Sequence, residues 1–188
     1  MVATKVNPGI RPYPSQYVGS WTMRGGTQVT IRPIRPDDEP LMVKFHATLS
    51  DRTVYLRYFT SISLPRRTVH ERLAHICHSD HERETVLVAD YKDPQTGEHH
   101  ILAVGRLNKL QVNGEGELAV LVSDEYQHKG LGTELLRRLI QVARDEKLHR
   151  LVAEMLHDNL VMQSIFKRLG FRLWSIDDPG SVQAALNL

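Results

Sequence analysis

Residues 127–133, which read Gln-His-Lys-Gly-Leu-Gly-Thr, carry the strongest chemical signal in this chain of 188 residues. They lie between an apolar run at 118–122 and an amphipathic segment that begins near Leu131. A loop that joins a strand to a helix presents backbone N–H groups at the helix N-terminus, where they bind anions. Gly130 and Gly132 let the backbone approach a phosphate closely and adopt positive φ without strain. The segment therefore predicts an anion-binding loop.

The spacing of these glycines excludes two well-known phosphate-binding loops. It is neither the G-x-x-x-x-G-K-[S/T] pattern of a P-loop nor the G-x-G-x-x-G pattern of a dinucleotide-binding fold. A glycine-containing turn between strand and helix, without any ligand, is an equally good interpretation of the loop by itself. The class of ligand must therefore be inferred from the rest of the chain.

A second group of reactive side chains, His75, Cys77, His78 and His81, lies within seven positions. Their spacing matches no standard zinc pattern, and only His75 and His78 share a helical face, so we expect no metal site. Cys77 as a nucleophile is a weaker alternative, because it lies at a predicted helix end without an identified activating base. The neighbouring histidines leave that alternative open.

Composition narrows the class of protein. The chain has 24 Lys and Arg residues, 22 Asp and Glu residues and a net charge of +2, without a basic stripe interleaved with aromatic side chains. Nucleic acid is therefore not an expected partner. A single cysteine allows no internal disulfide and fits a reducing cytosol. Because no apolar run approaches the length of a membrane span and the N-terminus has no apolar leader, we expect a soluble cytoplasmic protein.

Hydrophobic patterns divide the chain into two parts. Residues 1–25 contain prolines and glycines without apolar periodicity, which predicts an extended arm or linker before a folded domain at 26–188. The predicted strands are 29–35, 85–91, 101–107, 117–122, 151–156, 171–176 and 181–186. A first helix is predicted to start with Asp37 or Asp38 as its N-cap, and further helices cover 50–59, 66–77, 132–147 and 160–169. An antiparallel meander followed by helix-crossover strands predicts an α/β fold with a mixed sheet.

With these elements placed, the chain resembles the GNAT superfamily of acyl-CoA-dependent N-acetyltransferases. The family's pyrophosphate loop, [Q/R]-x-x-G-x-[G/A], is matched by Gln127, Gly130 and Gly132 after an apolar strand and before a helix. The family's second signature begins with Asn and ends in Leu-Gly-Phe, as Asn159 and residues 169–171 do in this chain. The resemblance covers residues 29–188 and implies a mostly antiparallel central sheet, flanked by helices and splayed between its central strands.

Three further segments, 30–36, 56–59 and 117–122, resemble the acetyltransferase domain of bacterial protein lysine acetyltransferases of the Pat type. In that family this domain usually follows a large acyl-CoA-synthetase-like region, and the Pro-Tyr-Pro at 12–14 resembles the link between the two. These 188 residues do not include the large region. The chain is expected to be either a natural single-domain relative or an excised domain.

The resemblance implies acetyl-CoA as co-substrate and assigns its contacts. The pyrophosphate is expected at the loop, and the pantetheine arm along the central strand, like an added strand. Asn159 is expected to hold the arm through its side-chain amide, although Asn is equally favoured as a helix N-cap. Phe166 occupies the position at which many family members carry a Tyr acid, and it is expected to pack near the thioester. The expected cofactor-binding residues are Val120, Leu121, Val122, Gln127, His128, Lys129, Gly130, Leu131, Gly132, Thr133, Asn159 and Phe166.

Acetyl transfer needs a neutral amine, whereas a free lysine with a pKa of roughly 10.4 is almost fully protonated at neutral pH. Glu117 is the candidate general base, because it opens an otherwise apolar strand and partial burial would raise its pKa. The residues alone leave an exposed carboxylate at a strand edge as an equal alternative, and the Pat resemblance favours the base. Glu115 and Glu84 are weaker candidates. The resemblance places the oxyanion donor at a backbone N–H near Leu121 or Val122, often at a β-bulge.

The expected function is direct transfer of an acetyl group from acetyl-CoA to a protein lysine in a ternary complex. The Pat resemblance implies acyl-CoA synthetases, including acetyl-CoA synthetase, as acceptors that are switched off by acetylation of an active-site lysine. The helices within 38–77 are expected to shape the acceptor site. Two alternatives stay open at this stage: a small-molecule amine acetyltransferase and a non-catalytic acetyl-CoA-binding module.

Overall fold

The structure, a computed structural model, describes residues 13–110, 114–176 and 180–188. Its strands are β1 Gly19–Thr22, β2 Gln28–Pro33, β3 Glu84–Lys92, β4 His99–Lys109, β5 Glu115–Val122, β6 Arg150–Leu156, β7 Arg172–Ser175 and β8 Ser181–Asn187. They form one sheet in the order β1-β2-β3-β4-β5-β6-β8-β7. Every neighbouring pair is antiparallel except β5 and β6, which are parallel. The predicted α/β class with a mixed, mostly antiparallel sheet is confirmed.

In the described part of the chain, six α-helices flank the sheet: α1 Glu39–Ala47, α2 Asp51–Tyr58, α3 Leu64–Arg67, α4 His70–Cys77, α5 Leu131–Asp145 and α6 Leu160–Arg168. The single helix predicted at 66–77 is wrong, because two short helices occupy this stretch and separate at Thr68 and Val69. Pro65 lies in the first turn of α3, where the missing N–H of proline costs no hydrogen bond. Throughout the part of the chain that the structure describes, the helices are too short or too polar to cross a bilayer.

The two faces of the sheet carry separate hydrophobic cores. Helices α5 and α6 cover one face, where Leu135, Leu139 and Phe166 are buried. Helices α1 to α4 cover the other face, where Phe45 and Leu73 are buried. Residues of β4 and β5 contribute to both cores, as expected for central strands whose side chains alternate between the two faces.

The parallel strands β5 and β6 separate partway along their length. They pair from Glu115 with Arg150 only as far as Glu117 with Val152. Beyond that point β5 stays paired with β4 up to Val122, and β6 stays paired with β8. The predicted splay between the central strands is therefore confirmed. It leaves the β6-facing edge of β5 without a neighbouring strand beyond Glu117, and this edge forms one wall of a cleft.

Residues 19–25, which belong to the predicted arm, are part of the sheet structure. Strand β1 is the edge strand beside β2, with Trp21 opposite Val29, and Met23 is buried in the core. The half-buried positions of this four-residue edge strand are Gly19 and Trp21, so a single inward-facing side chain is too little to show an apolar period in the sequence. Residues 1–12 lie outside the described part of the chain, and the division of the chain at residue 25 stays a prediction.

A buried ion network anchors the start of α1 to the sheet. The Arg32 guanidinium donates two hydrogen bonds of 2.7 Å to the Asp38 carboxylate and one of 2.9 Å to Asp90. Asp38 also accepts the backbone N–H of Arg35 at 2.7 Å. Asp38 is the N-cap residue of α1, which confirms one of the two predicted positions. Its carboxylate makes no capping hydrogen bond to α1, because it is engaged with Arg32 and with the Arg35 N–H. By contrast, Ser50 caps α2 by accepting the Thr53 N–H.

Candidate active site

A cavity of about 940 Å³ lies where β5 and β6 diverge. The elements around it are the second half of β5, the loop that follows, the start of α5, helix α2 and the start of α6. Every residue expected to bind acetyl-CoA or to act as the base lies on its wall: Glu117, Val120, Leu121, Val122, Gln127, His128, Lys129, Gly130, Leu131, Gly132, Thr133, Asn159 and Phe166. The fold thus brings together residues that are up to about 50 positions apart in the chain.

The loop before α5 presents backbone donors to the cavity. Helix α5 begins at Leu131, and no described side chain caps its first turn. Gly130 has a φ of 89°, and a Cβ there would lie 3.3 Å from the Trp21 ring, so both its conformation and its close packing favour glycine. The positive φ expected at Gly132 is wrong, and the left-handed residues of the loop are Gly130 and His128. Gly132 lies inside the helix, where its missing side chain allows close packing on Val122.

Gln127 connects the loop to two neighbouring elements. Its side-chain Nε2 donates hydrogen bonds to Thr53 Oγ1 at 3.0 Å and to the Val122 carbonyl at 3.2 Å. The adjacent Asp124 carboxylate accepts the backbone N–H of Ser50 at 3.1 Å. Gln127 and Asp124 therefore hold helix α2 against the end of β5. A direct contact of Gln127 with the cofactor stays a prediction.

Along the free edge of β5, the backbone N–H and C=O groups of every second residue point into the cleft. Ser123 donates its N–H to Leu102 on the β4 side, and neighbouring strand residues point their backbone groups in opposite directions. Val120 and Val122 therefore direct their N–H and C=O groups toward the cleft, and the Val122 carbonyl is held by Gln127. The register of β5 on β4 runs without a shift, so the β-bulge expected near Leu121 or Val122 is wrong. The register shift that the described sheet contains lies between β3 and β4.

Asn159 and Phe166 position helix α6 along the opposite wall. Asn159 is the N-cap of α6, and its Oδ1 accepts the Met162 N–H at 3.3 Å. The N-cap interpretation is thus confirmed, while the contact with the pantetheine arm stays a prediction. Phe166 is buried and packs edge-on against Phe171, with ring centroids 4.8 Å apart. It is held rigidly at the cavity wall.

Glu117 is the last β5 residue paired with β6, and its side chain is exposed at the cavity. The expectation that the protein partly buries it is wrong, because the side chain stays open to the cavity and does not pack into the core. The weaker candidates have other roles: Glu84 accepts a 2.6 Å hydrogen bond from Arg106, and Glu115 accepts one of 3.1 Å from Arg150. Neither of them lies on the cavity wall. Of the three glutamates considered, Glu117 is the one available to an incoming substrate.

Arg57 of α2 lies on the same wall and is half-buried. Its guanidinium carbon lies 5.0 Å from the centroid of the Tyr58 ring, and Arg72 lies at the same distance from that ring. Burial lowers the pKa of Arg57 and the charges of Arg106 and Arg72 lower it further, whereas Tyr58 and Glu117 oppose the shift. The charge of Arg57 therefore interacts with the carboxylate of Glu117.

Cys77 is excluded as a nucleophile by its surroundings. It is buried, and burial together with Asp38, Glu39 and Asp37 raises the pKa of its thiol to about 12, so the thiolate is not formed near neutral pH. Within residues 13–110, 114–176 and 180–188, no group of three or more His, Cys, Asp and Glu side chains is arranged to hold a metal ion.

Several cavity residues were not expected from the sequence. Glu154 interrupts the apolar strand β6 much as Glu117 opens β5, and that pattern could have been noticed. Arg57 lies in the segment 56–59 that resembles Pat-type domains, although no role was predicted for it, whereas Trp21 and Thr53 have no comparable local signal. They reach the cavity only because β1 and α2 pack across the loop.

The fold agrees with comparisons to known proteins. The family described as "Acetyltransferase (GNAT) domain" matches residues 28–172. The acetyltransferase Pat of Mycolicibacterium smegmatis is 29% identical over 186 residues, covering 95% of this chain and 50% of that protein. The chain therefore spans half the length of this relative.

Solved structures extend the comparison. The GNAT domain of S. lividans PAT has a TM-score of 0.82 and 27% identity, covering 94% of this chain and 100% of that one. Mycobacterium smegmatis RimJ, solved in complex with CoA-disulfide, has a TM-score of 0.69 and 16% identity, covering 90% and 86%, and shows the same fold. GNAT domains use acetyl-CoA as acyl donor. The chain belongs to the GNAT acetyltransferase family and is an N-acetyltransferase.

Proposed function

We propose that the protein transfers the acetyl group of acetyl-CoA directly to the ε-amine of a lysine in a protein, with Glu117 as general base. The observation that carries the proposal is the exposed Glu117 carboxylate at the point where β5 leaves β6, on the same cavity wall as the glycine loop. The similarity to Pat supports a protein acceptor, and we extend it to acyl-CoA synthetases, which acetylation would inactivate. The single buried cysteine is consistent with the cytoplasm as its location.

We propose one orientation of acetyl-CoA in the cavity. The uncapped N–H groups at the start of α5 and the dipole of that helix suit the pyrophosphate. The cleft-facing groups of Val120 and Val122 suit the amides of the pantetheine arm, which would add to β5 as a strand does. Asn159 has its Oδ1 occupied by the N-cap bond and offers its Nδ2 to the arm. Phe166 limits the cavity beside the thioester.

Glu117 would deprotonate the lysine ε-amine of the acceptor. A lysine with a pKa of roughly 10.4 arrives protonated, and a carboxylate at the acceptor end of the cavity can accept that proton directly or through one water molecule. Because Glu117 is exposed, the proton can pass on to solvent after each turnover. The amine nitrogen then attacks the thioester carbonyl carbon.

The collapse of the tetrahedral intermediate breaks the bond between carbon and sulfur. The Val122 N–H points into the cleft and is suited to stabilise the oxyanion. Phe166 offers no proton to the departing CoA thiolate. A thiol with a pKa near ~8.5 is a fair leaving group without an acid, so solvent can protonate it afterwards.

The intact mass of purified acetyl-CoA synthetase, measured after incubation with the protein and acetyl-CoA, tests this proposal. Parallel samples contain the Glu117→Ala variant or no enzyme. A mass increase of one acetyl group that only the wild-type chain produces would support both the acceptor class and the base. If the synthetase mass matches the enzyme-free control, the acceptor is a different protein or a small amine, and the proposed acceptor is wrong.

A further inference from the structure

Among the residues that the structure describes, Arg57 on the cavity wall forms no ion pair and no hydrogen bond with a carboxylate, although the charge of Glu117 acts on it. Resting on the function proposed above, we infer that Arg57 binds a carboxylate that the acceptor carries beside its reactive amine. This assigns a specificity-determining role to helix α2. It also defines the chemical class of acceptor, a primary amine with a neighbouring acidic group.

Arg57 differs from the other arginines on the cavity wall. Arg24 is exposed to solvent, and Arg168 donates to the Ser164 carbonyl of its own helix. Arg52 pairs with Asp158, and Arg137 pairs with Glu134. Arg57 is half-buried, yet in the described parts of the chain it forms no ion pair and no hydrogen bond to a carboxylate. A charge removed from water is normally paired, because its lost hydration must be replaced. A ligand that brings its own anion would supply the missing partner.

The surroundings of Arg57 hold its guanidinium in place. Tyr58 stacks with it at 5.0 Å, and Arg72 contacts the same ring at 5.0 Å. Such cation–π contacts restrict the side chain, so less conformational entropy is lost when it binds an anion. Helix α2 is itself fixed to the loop through Thr53 and Ser50. The guanidinium is thus pre-organised beside Glu117.

The charges around Arg57 favour an anion over a second cation. Arg72 and Arg106 both act on it, and the carboxylate of Glu84 is already bound to Arg106. Glu117 is the acidic group that acts on Arg57, and its proposed task is to accept a proton. A protonated amine alone would be repelled by these arginines. An amine accompanied by its own carboxylate would be admitted more readily.

Two sources could provide this chemistry. An acidic side chain next to a lysine in a protein would place a carboxylate beside the amine, and so would the α-carboxylate of a free amino acid. Matched acceptor pairs separate the two sources. One pair is a peptide containing Asp-Lys-Asp and its Asn-Lys-Asn counterpart, and the other is L-lysine and L-lysinamide.

The test measures kcat/KM for all four acceptors with the wild-type chain and with Arg57→Gln, Arg57→Lys and Arg52→Gln. In whichever acceptor pair the wild type acetylates, we expect kcat/KM to be about tenfold higher for the member that carries the carboxylate. This factor corresponds to one charge-assisted hydrogen bond. Arg57→Gln should abolish this ratio mainly through KM, and Arg57→Lys should restore part of it. Arg52→Gln, the matched control on the same helix, should keep the ratio. Melting temperature and acetyl-CoA affinity verify that each variant is folded.

Equal ratios in the wild type and Arg57→Gln would overturn the inference, and so would a wild-type preference for the neutral acceptors. Failure of the proposed function has a different signature. If L-lysine or L-lysinamide is acetylated and neither peptide is, the proposal of a protein acceptor is wrong. The role of Arg57 would still stand if the ratio of kcat/KM between L-lysine and L-lysinamide depends on Arg57. A wild-type chain that acetylates none of the four acceptors would overturn both.

Discussion

The two ends of the cavity are lined by different kinds of groups. At the α5 end the wall consists largely of main chain, namely the N–H groups that follow Gly130 and the open edge of β5. At the α2 end it consists of charged and aromatic side chains, with Arg57 and Tyr58 on the helix and Glu117 on the strand. Backbone donors suit a ligand part that never changes, such as pyrophosphate and pantetheine. Side chains suit the part of the reaction that differs between acceptors.

The two ends also differ in how they are held. Gly130 owes its conformation to its own residue type and to contact with Trp21. The α2 end depends on polar contacts between distant segments, from Gln127 to Thr53 and from Asp124 to Ser50. A substitution at the α5 end should therefore act on acetyl-CoA binding, whereas one at the α2 end should act on the acceptor and on turnover.

Glu117→Gln should have the largest effect. It removes the proton acceptor at almost constant shape, and general-base catalysis typically contributes about 10²–10⁴-fold. We expect kcat to fall by roughly that factor and acetyl-CoA affinity to stay within about twofold, since the groups proposed to bind the cofactor lie at the α5 end. Steady-state kinetics and calorimetric titration with acetyl-CoA measure the two quantities. An equal loss of kcat and of acetyl-CoA affinity would show that Glu117 supports the fold of the cleft. The two ends of the cavity would then not have separate roles.

Acid should destabilise the layer of helices that carries the α2 end. His46 in α1 is buried, and burial together with Arg67 and Arg72 lowers its pKa to about 4. Between the usual value near 6.5 and about 4, the unfolded chain binds a proton that the folded chain does not. Stability from this group is complete above pH 6.5 and falls as the pH drops, by at most about 1.4 kcal/mol per pH unit.

The variant His46→Gln, whose side chain at position 46 cannot titrate, tests whether His46 causes this loss of stability in acid. Urea unfolding at a series of pH values should show a shallower loss of free energy of unfolding between pH 6.5 and 4 than the wild type does. A substitution of His99, an exposed histidine on the sheet that pairs with Asp90, serves as the control for His46→Gln. Parallel curves for the wild type and His46→Gln would mean that other groups cause the loss in acid.

Gly130→Ala should weaken acetyl-CoA binding with little effect on the acceptor. The new Cβ would lie 3.3 Å from the Trp21 ring in a residue whose φ is 89°, and the left-handed conformation costs a non-glycine residue about 1–2 kcal/mol. We expect the Kd for acetyl-CoA to rise about tenfold. Gly26→Ala is the matched control, because Gly26 also has a φ of 89°, does not line the cavity, and would place its Cβ within 4 Å of no other group. Similar Kd values for both variants would contradict a conformational role for Gly130.

Arg52→Ala should have the smallest effect. Its 3.6 Å ion pair with Asp158 joins α2 to the segment before α6, but the two side chains are 68% and 59% exposed. Exposed ion pairs contribute about 0–1 kcal/mol, so the free energy of unfolding should change by less than about 1 kcal/mol. Chemical denaturation measures it. A larger loss would show that this bridge, and not the contacts of Thr53 and Ser50, holds α2 across the cleft.

The sequence determined those features that depend on local chemistry. The strand–loop–helix around Gly130 was predictable because a glycine between an apolar strand and an amphipathic helix has few other uses. The core strands and helix α5 followed from their hydrophobic period, and the start of α6 followed from Asn159 as a capping residue. Glu117 stood out because a carboxylate in an apolar strand is unusual.

Only the tertiary structure decided which groups meet at the acceptor end and how far each is exposed. The pairing of Asp38 with Arg32, the division between α3 and α4, and the addition of β1 to the sheet edge all depend on partners distant in sequence. The exposure of Glu117 and the half-burial of Arg57 depend on where α2 crosses the cleft. Local sequence patterns do not predict burial or charge pairing. Both properties depend on neighbouring residues that come together only when the chain folds.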